Sequence, residues 1–190
     1  TAGTLVSIAE TWYVGYLGTM SLAGIALVFP CIMLQQMLSA GSMGGGISSA
    51  VSRALGANDL GKANALVLHA ALICLGMGLF FTFVFIVWGE PIFRLLGGQG
   101  EALAQSLAYA NVAFWGAASI WLTNGFASVI RGSGNMKTPS LVLLIACVAQ
   151  VTLSGVLGLG WGPIPSFGMA GIAMGYVIAF SASTLYLFAY

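Results

Sequence analysis

From Ala70 to Gly89 the chain runs through twenty residues with no Asp, Glu, Lys, Arg or His. At 1.5 Å per residue, an α-helix of that length crosses the roughly 30 Å hydrocarbon core of a bilayer. Trp88 closes the run, as an indole at a membrane interface does. The rest of the chain agrees: 5% of its residues are charged, against about 25% in a soluble domain. So few charges cannot solvate a globular surface, whereas helices satisfy their own backbone and face lipid without charge. The chain is therefore read as an all-α, polytopic membrane protein.

Hydropathy and turn residues divide it into a first span at 1–17 and five more at about 20–43, 63–89, 102–130, 140–160 and 169–190. Trp161 is expected to stand level with Trp88 in an aromatic belt. Four of the five basic residues fall on one side, Arg53 and Lys62 between spans two and three, Arg131 and Lys137 between four and five. The positive-inside rule makes that side cytoplasmic, so the first span starts there and Glu10 lies in its outer half. No signal peptide is visible, because the first span has no basic start and carries an acid. The chain begins without methionine and ends within an apolar run, so both ends are expected to continue.

Several functions are excluded early. A net charge of +1 with no basic run lacks the electrostatic footprint of nucleic-acid binding. Cys31, Cys74 and Cys147 are far apart and lie in apolar stretches, without zinc or redox spacing. No nucleophile elbow, HExxH or phosphate loop is present, so no enzyme and no cofactor is expected.

Glu10 is the most informative residue, since an acid inside a span costs about 2.5–3.5 kcal/mol and something must offset that. One reading is a carboxylate facing a cavity that takes a proton or small cation. The other is an interfacial acid reaching headgroups. Gln35, Gln36, Asn111, Thr123, Asn124, Gln150, Thr152 and Ser154 are further polar groups at membrane depth. Each serves equally as interhelical glue. Gln150 and Ser154, four residues apart, share one helix face. Trp12, Tyr13, Tyr109, Phe114, Trp115 and Trp121 either line a pocket or pack and face lipid. Gly44, Gly45 and Gly46, flanked by serines, mark either a tight crossing or a flexible element. Asn58 and Asp59 read as turn and cap residues. His69 has no partner at ligand spacing and reads as structural.

Four motifs in order resemble the multidrug and toxic-compound extrusion (MATE) family of cation-coupled antiporters. They are Glu10-Thr11-Trp12-Tyr13-Val14-Gly15-Tyr16-Leu17-Gly18, then Gly44-Gly45-Gly46-Ile47-Ser48-Ser49-Ala50 running on to Arg53. The third is Arg131-Gly132-Ser133-Gly134-Asn135-Met136-Lys137-Thr138-Pro139, and the fourth Gly168-Met169-Ala170-Gly171-Ile172-Ala173. The resemblance implies that residues 1–190 form the amino-terminal six-helix lobe of a two-lobed carrier, with the second lobe absent from this chain. It places Glu10 where the family carries a coupling aspartate, and Gln150 and Ser154 where some members carry an asparagine and an aspartate. Tyr176 falls at a family threonine. Losing the second acid favours H+ over Na+ as coupling ion, with a sodium ion near Glu10 as the alternative.

The expectation is thus a secondary antiporter, multi-pass in a bacterial or archaeal cytoplasmic membrane. It would export amphipathic or cationic small molecules, with Glu10, Gln150 and Ser154 coupling the cation. Trp12, Gln35, Asn111, Trp115 and Tyr176 are the candidates for the substrate cleft, and Gly44 to Gly46 the flexible element. A lipid-linked oligosaccharide flippase of related fold and a non-transporting membrane scaffold are the alternatives.

Overall fold

The computed structural model describes residues 2–160 and 165–190. Among them are eight α-helices: α1 Ala2–Leu17, α2 Thr19–Gln36, α3 Gly44–Gly56, α4 Leu60–Leu95, α5 Gly100–Trp115, α6 Ala117–Gly132, α7 Lys137–Leu159 and α8 Gly168–Ala189. A π-helical segment, Met37–Met43, joins α2 to α3. No strand occurs among the described residues. Trp161, the expected second interfacial indole, lies outside them.

The joints follow from local chemistry. Gly18 makes the one-residue turn between α1 and α2 at φ 116°, where a Cβ is strained. Asn58 turns the chain at φ 57°, and the Asp59 carboxylate accepts the Lys62 backbone N–H at 2.9 Å to cap α4. At the head of α7, the Asn135 side chain accepts the Thr138 N–H at 3.1 Å.

Three spans differ from the sequence reading. The second does not end near Met43 but continues as one helical rod from Thr19 to Gly56, 38 residues or about 57 Å. Its glycines do not break the helix, because Gly44 is packed against Ser128 of α6. α4 runs on past Gly89 to Leu95 with Pro91 inside it, and its last turn carries the Glu90–Arg94 pair at 2.7 Å. The fourth span is two 16-residue helices broken at Gly116. There α8 comes so close that a Cβ on Gly116 would lie 2.5 Å from the Val177 side chain. Among the described residues, four helical stretches are long and apolar enough to cross a membrane by themselves: Thr19–Gly56, α4, α7 and α8.

The core sits between α4, α5 and α6, where the Phe85 and Phe114 rings stack at 3.8 Å and Phe81 lies 5.7 Å from Trp121. α7 and α8 form the most extensive pairing, with α1 packed on α7. Gly175 permits that pairing, since a Cβ there would collide with the Ser154 backbone N–H. The outward faces of α4 and α7 are apolar, with Leu72, Phe80, Phe83 and Val148 all exposed.

Candidate functional site

A cavity of about 830 Å³ lies among α1, α2, α5, α6, α7 and α8. Each element presents one stripe to it: Gly3, Ser7 and Glu10 from α1, Ile25, Phe29, Ile32 and Gln36 from α2, and Ser140, Leu144, Cys147 and Gln150 from α7. These spacings of three and four residues are what a single helix face shows. Tyr109, Asn124, Tyr176 and Phe180 complete the wall. The lining is mostly apolar with a few convergent polar groups, as in small-molecule sites.

Two polar sets face this space. In the first, Gln150 Nε2 donates to Glu10 Oε1 at 2.7 Å. Ser154 lies beside the same carboxyl group, and its Oγ donates to the Ile172 carbonyl at 2.9 Å. In the second, Gln36 Nε2 donates to the Tyr176 hydroxyl at 3.0 Å, and Asn124 Nδ2 donates to Gln36 Oε1 at 3.2 Å and to Ser39 Oγ at 2.8 Å. Ser39 belongs to the π-helical segment, so this chain of bonds ties the cavity wall to the irregular turn of the long rod.

The structure brings Glu10, Gln150 and Tyr176 to the cavity, with Ser154 fully buried beside Glu10 and outside the lining. It does not bring the other four cleft candidates there. Trp12 and Trp115 are 55% and 72% exposed on the outer surface, and Asn111 is exposed. Gln35 is buried beside the Tyr176 hydroxyl without lining the cavity. Gln36, Asn124 and Tyr109 take the places given to Gln35, Asn111 and the two tryptophans. Gly44 is buried in a close crossing, whereas Gly45 and Gly46 face open space. His69 is exposed, with its ring nitrogen 2.6 Å from the Ala65 carbonyl.

Glu10 is the only carboxylate lining the cavity among the described residues. A sodium ion asks for several oxygen ligands. Here Gln150 turns its N–H₂ group toward the carboxylate, while Ser154 gives its proton to a backbone carbonyl and keeps its oxygen lone pairs. The same set accommodates a proton. A protonated Glu10 can donate to Ser154 Oγ, which keeps a free lone pair, and still accept from Gln150.

The family model described as MatE matches residues 2–156. The chain is 27% identical over 176 residues to an "FAD transporter" of Shewanella oneidensis, covering 88% of this chain and 37% of that protein. It is 27% identical over 175 residues to a "probable multidrug resistance protein" of Bacillus subtilis, covering 92% of this chain and 38% of that one. Among solved structures, it superposes with a TM-score of 0.90 and 29% identity on the inward-facing conformation of a multidrug resistance MATE family transporter of the MOP superfamily, covering 97% of this chain and 41% of that chain. The chain therefore spans about two fifths of the length of the relatives it matches.

Proposed function

The chain belongs to the MatE family, and on that premise we propose that residues 1–190 form one lobe of a secondary antiporter that exchanges protons for amphipathic cations. The observation that carries this reading is the single carboxylate, Glu10, set on an otherwise mostly apolar cavity and held by the Gln150 amide at 2.7 Å. Ionised, Glu10 attracts a cationic head group whose apolar body fills the space beside Ile25, Phe29 and Ile32. Protonated, it loses that attraction, passes its proton into a hydrogen bond on Ser154 and leaves the cation unpaired. Proton and substrate thus compete for one group, which supplies the differential affinity a two-state carrier needs. The second lobe lies on the same polypeptide outside this segment, and the membrane is the cytoplasmic one.

The long rod of α2 and α3 supplies the element that bends, at the π-helical segment and the following Gly45 and Gly46, where a side chain would meet open space. π-helical turns recur at functional sites because they leave the backbone ladder adjustable.

The test is dye efflux from proteoliposomes holding the full-length parent protein. With an imposed proton gradient, Glu10→Gln should reduce efflux to the level of empty vesicles. Efflux that persists undiminished in this variant, or that follows a sodium gradient and ignores the proton gradient, overturns the proposal.

A further inference from the structure

Beside the Glu10 cavity, and sharing Ser140 and Leu144 of α7 with it, a second hollow of about 780 Å³ runs between α7 and α8. We propose that it is a binding site for one anionic phospholipid of the leaflet at the basic end, with the phosphate on Lys137 and an acyl chain along the groove.

The shape suits a chain. Ala146, Ala149 and Ala182 line the groove with small side chains, and Leu141, Ile145 and Ile178 add bulky apolar ones. From Lys137 to Leu153, both lining residues, α7 rises about 24 Å, more than the roughly 15 Å of one leaflet's hydrocarbon. The groove therefore starts at an interface and reaches past the bilayer midplane.

The charge at its mouth fits a phosphate. The chain has four acids, and each is engaged or placed elsewhere: Glu10 with Gln150, Asp59 capping α4, Glu90 with Arg94, and Glu101 in the first turn of α5. Lys137 has no carboxylate at ion-pair distance among the described residues. It stands at the N-terminus of a 23-residue helix, whose dipole adds positive potential at the same point. Asn135 holds this turn by bonds to the Thr138 N–H and hydroxyl and to the Tyr190 hydroxyl, so the ammonium projects from a fixed base. Arg131 stands in the last turn of α6, just before the same joint. The positive-inside rule puts this end at the cytoplasmic leaflet, where anionic lipids gather around basic side chains.

Native mass spectrometry of the full-length transporter, released from nanodiscs of equal phosphatidylglycerol and phosphatidylcholine, tests the assignment. The wild type should retain one phosphatidylglycerol at several times the occupancy of phosphatidylcholine. Lys137→Gln should erase that preference and Lys137→Arg restore it. Ala182→Trp, which fills the groove, should remove the retained lipid at an unchanged melting temperature. Equal retention of the two lipids by the wild type overturns the proposal. So does a phosphatidylglycerol preference that survives Lys137→Gln, and so does the absence of any retained lipid, which would mean that protein covers the groove. None of these outcomes depends on whether Glu10 couples a proton.

Discussion

The hydrogen bond from Gln150 to Glu10 joins a neutral amide to an ionisable acceptor, a class of bond with a net contribution of about 1.5–3 kcal/mol. Gln150→Leu keeps the helix and the bulk but removes the donor. Proton-driven efflux should then fall by about tenfold to a hundredfold, since every 1.4 kcal/mol is a factor of ten. Trp12→Leu, on the exposed face of the same α1, should leave the rate within twofold of wild type. Initial rates of dye efflux under a fixed proton gradient check both. Glu10 stood out from sequence alone because an acid in a span is costly, and Gln150 with Ser154 followed from a spacing of four. Gln35 and Gln36 could not be separated by residue type, since they are the same side chain one step apart. The register of Ile25, Phe29, Ile32 and Gln36 distinguishes them, but only once the cavity shows which face of α2 looks inward. Asn111 and Asn124 differ likewise by position relative to the break at Gly116, and apolar periodicity does not reveal that break.

Among the elements, α7 and α8 illustrate packing that positions chemistry. Ser154, which lies beside Glu10, reaches the Ile172 carbonyl because Gly175 lets α8 close on it. Gly175→Ala forces a methyl group into the Ser154 backbone, an overpacking error of about 1–3 kcal/mol. It should lower the melting temperature in detergent and reduce efflux together. The rod of α2 and α3 should behave oppositely. Gly45→Ala with Gly46→Ala meets open space, and each change adds up to about 1 kcal/mol of helix propensity. The double variant should melt higher yet transport several times more slowly, because it stiffens the proposed bend. A variant that gains stability and transports at the wild-type rate would remove these glycines from the mechanism. The length of this rod was hidden in the sequence, because three adjacent glycines read as a helix end when the packing of Gly44 against α6 is unseen.

At the scale of the whole molecule, an apolar exterior is no anomaly in lipid, but an open cavity lined by Glu10, Gln36, Asn124 and Gln150 is one. Hydrocarbon cannot hydrogen-bond these groups, so the opening must meet water or more protein. The relatives are more than twice the length of this chain, and the second lobe proposed above would cover the opening. The 190 residues alone should therefore pair their open faces. In detergent, light scattering of the isolated segment is expected to give a protein mass of at least twice 19.5 kDa. Co-expression with the remainder of the parent polypeptide should replace that species with a single one-to-one complex. A monodisperse monomer of the segment, stable at micromolar concentration, would show that detergent and water suffice to fill the opening, and would remove the physical reason for placing a second lobe against it.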